Sequence, residues 1–136
     1  MRTIILAATL FTLSACDVFE ADTDTDLGAI LSFTDPAQLV IPGAANVGQP
    51  FIVNARNFGD ACVSFAGTEM EREDRIVEFR PYDRRELDEA CADILRIIEH
   101  PVTLVFNTPG TVTVRIVGRR VPQNQLDTIV RQVVIR

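Results

Sequence analysis

Short runs rich in β-branched and aromatic residues alternate with turn-forming residues along most of the chain. The turns are marked by proline, glycine and asparagine, as at Pro42-Gly43 and Pro109-Gly110, which favour the backbone angles of tight turns. This regular spacing predicts an antiparallel β-sandwich or barrel. The seven predicted strands are Gln38 to Ile41, Phe51 to Arg56, Ala61 to Ala66, Arg75 to Arg80, Val102 to Phe106, Thr111 to Val117 and Thr128 to Ile135.

The sixth run has the clearest strand pattern. Val112, Val114 and Ile116 are apolar, and the residues between them are polar. Successive side chains of a strand point to opposite faces, so this period of two predicts a half-buried strand.

One segment has a helical period instead. Its apolar residues fall at i, i+4, i+7, i+8 and i+11, which is one face of a helix. They are Leu87, Cys91, Ile94, Leu95 and Ile98. This spacing predicts a short helix over residues 84–99, ended by His100-Pro101. The alternative is an extended chain over 94–98, because isoleucine also favours strands.

The first residues form a targeting segment. The apolar run from Ile4 to Leu13 follows Arg2 and is shorter than the roughly 20 residues that span a bilayer, so residues 1–15 are predicted to be a signal peptide. The run ends in Leu13-Ser14-Ala15-Cys16, which resembles the lipobox of bacterial lipoproteins. The alternative is an ordinary secretory signal in which Cys16 has no role.

The lipobox resemblance implies cleavage before Cys16, a diacylglyceryl thioether on its sulfur and usually a further acyl chain on its amine. Two or three acyl chains anchor a protein stably to a membrane. The expected location is therefore the cell envelope, on the inner or outer membrane facing the periplasm, or at the cell surface. In enteric bacteria an aspartate at the next position, here Asp17, is associated with the inner membrane.

Residues 16–35 are predicted to be the lipidated cysteine and an acidic tether before a domain at 36–136. The alternating aspartates of residues 22–26 resemble the start of a calcium loop. Gly28 comes one place too late for that loop, and Phe33 stands where it needs a glutamate. A plain acidic linker is therefore expected, without a metal.

The charge pattern argues against nucleic acid as a partner. The formal net charge is −6 and the thirteen basic residues are all arginines, interspersed with acids, whereas phosphate binding needs a basic face. We expect a protein partner in the cell envelope, in addition to the membrane.

Two cysteines remain after lipidation of Cys16. In an oxidising compartment Cys62 and Cys91 are expected to form a disulfide; the alternative is two separate buried thiols. A redox role is not expected, because the pair lacks C-x-x-C spacing.

Candidates for catalysis are few. His100 is the only histidine and stands before a proline, and no G-x-S-x-G motif is present, so the usual base and nucleophile are effectively missing. The acids Glu86, Asp88, Glu89 and Asp93 would form the solvated face of the predicted helix. We therefore expect no enzyme activity, catalytic residue, metal or cofactor. The alternative is a carboxylate-dependent hydrolase or carbohydrate-processing domain.

Two stretches resemble bacterial immunoglobulin-like modules: residues 57–65 (NFGDACVSF) and residues 108–114 (TPGTVTV). The resemblance covers roughly residues 36–136 and implies an all-β, immunoglobulin-like sandwich of about seven strands. The expected fold also includes the helix at 84–99. The expected protein is a membrane-anchored, non-enzymatic interaction or structural module.

Overall fold

Every regular element that the structure describes is a β-strand. The computed structural model describes residues 23–30, 39–87, 90–121 and 123–136. Its strands are β1 (Thr23–Leu27), β2 (Ala29–Ile30), β3 (Leu39–Val40), β4 (Ala44–Ala45), β5 (Phe51–Gly59), β6 (Val63–Glu73), β7 (Ile76–Glu86), β8 (Arg96–Leu104), β9 (Gly110–Arg120) and β10 (Gln125–Ile135). The all-β prediction is confirmed, and each of the seven predicted runs overlaps a strand.

The strands form two sheets around one core. The larger sheet has seven strands and the smaller one has three, in the order β3-β5-β8. In the larger sheet β6, β7, β9, β10 and β4 are successive neighbours, while β1 pairs with β7 and β2 with β9. Buried apolar side chains from both sheets form a single cluster between them, as in a β-sandwich.

Strand β9 follows the predicted alternation. Val112, Val114 and Ile116 are buried, and Thr111 and Arg115 are exposed. Inward side chains of the smaller sheet, including Val53 and Leu104, belong to the same core cluster. Period-two patterning therefore predicted the packing face of this strand correctly.

The helix predicted over residues 84–99 is wrong. Its first residues end β7 and its last residues begin β8, and no helix occurs in the described part of this range. Leu87, Ile94 and Leu95 of the proposed apolar face are at least half exposed. Pro101, expected to end the helix, lies inside β8; β8 is an edge strand of its sheet, where a missing N–H is tolerated.

Strands β7 and β9 separate part of the way along the sheet, and the N-terminal strands β1 and β2 pair with them there. We call this separation the fork. The parallel pairing of β7 with β9 ends at Phe79 and Ile116. Pro81 follows two residues later and has no N–H to donate to the ladder. Strand β1 runs antiparallel to β7, and β2 runs parallel to β9. The chain therefore reverses direction at Gly28, which donates to Pro81 O (2.8 Å) and accepts from Arg119 N (2.9 Å).

Residues 23–30 thus belong to the larger sheet, although the tether was predicted to extend to residue 35. Leu27 and Ile30 are buried in it. The predicted signal peptide, Cys16 and Asp17 lie outside the described residues. None of the described segments is a helix of the length and apolarity needed to cross a membrane.

Candidate functional site

Three polar side chains are buried in the otherwise apolar interior. Asn57 and His100 are 0% exposed and Asp83 is 8% exposed. They come from β5, β8 and β7, so both sheets contribute to the cluster. Each occupies an inward position of its strand, where the alternation of buried residues otherwise places apolar side chains.

The histidine connects this cluster to a threonine. His100 Nε2 lies 2.9 Å from Asp83 Oδ1, and His100 Nδ1 lies 3.0 Å from Thr68 Oγ1. An ionised carboxylate only accepts hydrogen bonds, so we assign the ring proton to Nε2. Nδ1 is then the acceptor for the Thr68 hydroxyl. The result is a continuous hydrogen-bonded chain from Thr68 through His100 to Asp83.

Asn57 forms a hydrogen bond with the second carboxylate oxygen of Asp83. Its Nδ2 donates to Asp83 Oδ2 over 3.0 Å, and the reverse amide orientation would face two acceptors towards each other. Nδ2 also lies 3.1 Å from His100 Nε2, which cannot accept while it donates to Asp83. Asn57 Oδ1 is buried without a partner. Gly28 passes so close to this amide that a Cβ at residue 28 would overlap it.

A β-bulge turns Thr68 towards the histidine. The register between β6 and β7 shifts between Phe65 and Gly67. Phe65 pairs opposite Asp83, and Thr68 pairs opposite Pro81, so both project from the face of the sheet that carries Asp83, although they are three residues apart. A regular strand would have placed Thr68 on the opposite face, because side chains alternate. The Phe65 ring also lies against the His100 ring, with centroids 4.9 Å apart.

A shallow groove adjoins Thr68 on the outside of β6. Its space is about 500 Å³, and it is lined by Thr25, Ala66, Gly67, Thr68, Glu69 and Tyr82. Tyr82 donates to Glu69 Oε2 over 3.3 Å. Desolvation and the neighbouring Glu69 carboxylate raise the pKa of Tyr82, so its phenol stays neutral.

A second cavity opens at the end of the sandwich where β5 and β7 finish; we call it the mouth cavity. Its volume is about 330 Å³. Two ion pairs stand at its wall, Arg85 with Asp60 (2.6 Å) and Arg119 with Asp26 (2.5 Å). Asp83 also lines it, so the carboxylate end of the chain from Thr68 to Asp83 reaches the mouth cavity. The lining residues are Asp24, Asp26, Ala29, Phe58, Gly59, Asp60, Val63, Asp83, Arg84, Arg85, Leu95, Arg119 and Val121.

The predicted disulfide between Cys62 and Cys91 is present beside this cavity. The two Cα atoms are 5.5 Å apart, an ordinary spacing for a disulfide. Asp60 Oδ1 accepts from Cys62 N over 3.0 Å. Asp60, Cys62 and Cys91 are close enough to share a metal ion, but the two sulfurs are bonded to each other. The disulfide fixes the segment that carries Leu95, which is 69% exposed.

Burial tends to raise the pKa of Asp60, but other contacts outweigh it. The Arg85 guanidinium and the backbone N–H of Cys62 stabilise the carboxylate, and the pKa lies below its ordinary value of 3.8. The Asp60 contacts therefore link strand β7 to the disulfide.

The sequence did not identify this polar cluster. His100 was set aside because it precedes a proline, whereas the structure places it between Asp83 and Thr68. Glu86 and Asp93, predicted to share a helix face, lie in β7 and in the irregular segment before β8; Asp88 and Glu89 lie outside the described residues. A signal was present, because His100 continues the period of two through Ile98, Val102 and Leu104.

Comparisons with family profiles, with curated protein sequences and with solved structures each find no match to this chain.

Proposed function

We propose that this protein is an envelope lipoprotein, anchored through a lipid on Cys16, whose β domain is a non-enzymatic interaction module. The disulfide between Cys62 and Cys91 is the observation that best supports this proposal, because such bonds persist in oxidising compartments. The lipobox sequence at residues 13–16 explains how the chain reaches such a compartment and stays at a membrane.

The proposed fold type is a variant of the immunoglobulin-like sandwich. The small sheet β3-β5-β8 and the antiparallel pair β9-β10 support it. Three pairings differ, since immunoglobulin sheets are antiparallel whereas β7 and β2 run parallel to β9, and β4 runs parallel to β10. Within the β6-β7 hairpin, β7 is the strand that pairs with β9, and β6 lies at the edge of the sheet.

The proposed contact surface is the rim of the mouth cavity. Leu95 and Val121 line the cavity and are exposed, and the nearby disulfide restricts the rim. Exposed apolar side chains on a rigid rim around a concavity, interspersed with charged groups, are typical of protein interaction sites. A protein partner fits this surface better than nucleic acid, because the acids at the rim balance its arginines.

The hydrolase alternative has less support. Catalysis by two carboxylates needs two acids that converge on a substrate. Among the described acids of the mouth cavity, Asp83 alone is buried, and Asn57 and His100 hold it.

The anchor can be tested by labelling cells with a palmitate analogue and separating membranes from soluble fractions. The wild-type protein should take up the label and sediment with membranes, whereas Cys16→Ser should do neither. The double variant Cys62→Ser/Cys91→Ser is the matched control and should retain the label. Unlabelled wild-type protein in the soluble fraction would refute the anchor.

The contact surface can be tested with a photo-crosslinking residue in place of Leu95 in the native envelope. Val130, exposed on β10, provides the control position. Discrete crosslinked species at Leu95 and none at Val130 are expected. Equal patterns at both positions would refute the rim as the contact surface.

A further inference from the structure

We propose that Thr68 is a nucleophilic hydroxyl that accepts an acyl group from a small neutral ester. The observation behind this is the chain Thr68–His100–Asp83, with contacts of 3.0 and 2.9 Å. A hydroxyl held by a base, itself oriented by a carboxylate, is the arrangement that activates serine and threonine nucleophiles. The inference is independent of the proposed anchor and contact surface.

The elements supply each part of this arrangement separately. Strand β8 provides the base, β7 provides the carboxylate, and the bulge in β6 directs the hydroxyl to the base. Bulges often re-aim a side chain beside a functional site. Asn57 adds a hydrogen bond of 3.0 Å to the carboxylate, which fixes its orientation towards His100.

Thr68 is partly exposed on β6, an edge strand of the larger sheet, so a small acyl donor can approach its hydroxyl from solvent. The neighbouring side chain, Glu69, is exposed and charged. The Glu69 carboxylate would repel an anionic donor, so the expected donor is a neutral ester.

The step is an ordinary acyl transfer. Thr68 Oγ1 attacks the carbonyl carbon, a C–O bond forms, and the hydroxyl proton moves to His100 Nδ1. The bond from that carbon to the leaving alkoxide breaks, and the alkoxide takes the proton from His100. The Asp83 carboxylate stabilises the transient imidazolium through Nε2–H. The product is an ester on Thr68, which makes this a covalent capture of one acyl group for each protein molecule.

The test treats the purified full-length protein with p-nitrophenyl acetate and locates the acetyl group by peptide mass spectrometry. Wild-type protein should carry it on Thr68. Thr68→Ser should be acetylated at the same position, and Thr68→Val should lose at least 90% of the modification. Thr111 is exposed on β9, away from Thr68 and His100, so Thr111→Val is the matched control and should leave modification of Thr68 unchanged.

His100→Gln tests the base. General-base assistance is typically worth about 10²- to 10⁴-fold, so acetylation of Thr68 should slow by about 100-fold or more, with folding checked by circular dichroism. An unchanged rate in a folded variant would overturn the proposal. The positions acetylated in the wild-type protein decide the question even if that variant does not fold. An unmodified Thr68, or acetylation of Thr111 and Thr68 at equal rates, would also overturn the proposal.

Discussion

The buried polar side chains of this protein depend on their hydrogen bonds for a favourable contribution to stability. Removing Asn57, Asp83 and His100 from water costs free energy unless their hydrogen bonds are replaced. The hydrogen bonds that Asp83 accepts from His100 (2.9 Å) and Asn57 (3.0 Å) provide most of that replacement, while Asn57 Oδ1 stays without a partner. Their contribution therefore depends on all three residues being present together.

His100→Leu should lower the free energy of unfolding by about 3 kcal/mol, because it removes one of the two side-chain hydrogen bonds of the buried Asp83 carboxylate. The control is Glu99→Gln, which breaks the exposed pair of Glu99 with Arg56 and should cost less than about 1 kcal/mol. Urea denaturation of both variants measures the difference. Equal losses would show that the buried pair has no special role.

Gly28→Ala should destabilise the protein by about 1–3 kcal/mol, the usual cost of overpacking. The added methyl group would overlap the Asn57 amide, so either the fork or the polar cluster has to shift. Gly43→Ala is the matched control, because a Cβ there meets nothing within 4 Å. Thermal unfolding of both variants gives the comparison; equal melting temperatures would contradict the close packing at Gly28.

At the scale of elements, alternation predicted the strands well, and apolar spacing alone did not identify a helix. Strands such as β9 have one buried face, so their period of two is visible in the sequence. The helical spacing around Leu87 and Leu95 was accidental, because these side chains are exposed and the disulfide holds the segment. The bulge in β6, the fork and the parallel pairing of β7 with β9 depend on contacts between distant residues, which a single sequence does not show.

Reduction of the Cys62–Cys91 disulfide should lower the free energy of unfolding by about 3–4 kcal/mol, from the closure entropy of its loop. Urea denaturation with and without a reductant measures this loss. The double variant Cys62→Ser/Cys91→Ser should resemble the reduced protein and be insensitive to reductant. A wild-type midpoint that reductant leaves unchanged would contradict a stabilising role.

The contacts of Asp60 should make stability depend on pH in acid. Its folded-state pKa is below 3.8, so its stabilisation is fully present above that value and is lost as the pH falls through the folded-state pKa. Asp60→Asn should therefore reduce the loss of stability between pH 5 and the acid range, by at most about 1 kcal/mol. Urea denaturation across this range is the measurement. An identical pH dependence in the variant would refute the linkage.

At the scale of the whole molecule, the sequence predicted the class of fold and the cysteine pairing but not the site. The pairing followed from compartment and cysteine count, which need no coordinates. The site did not, because Thr68, Asp83 and His100 lie on three strands and meet only after β6 shifts its register. The composition predicted an interaction module without catalytic residues. The hydrogen-bonded chain of Thr68, His100 and Asp83 forms only in the folded protein, so composition alone does not predict it.

The lipid anchor and the disulfide can be tested together by the intact mass of native protein extracted from membranes, measured with and without reduction. We expect a chain that begins at Cys16, carries added acyl chains and gains two hydrogens on reduction. An unprocessed chain without lipid, or free thiols at Cys62 and Cys91, would contradict a disulfide-stabilised, membrane-anchored module.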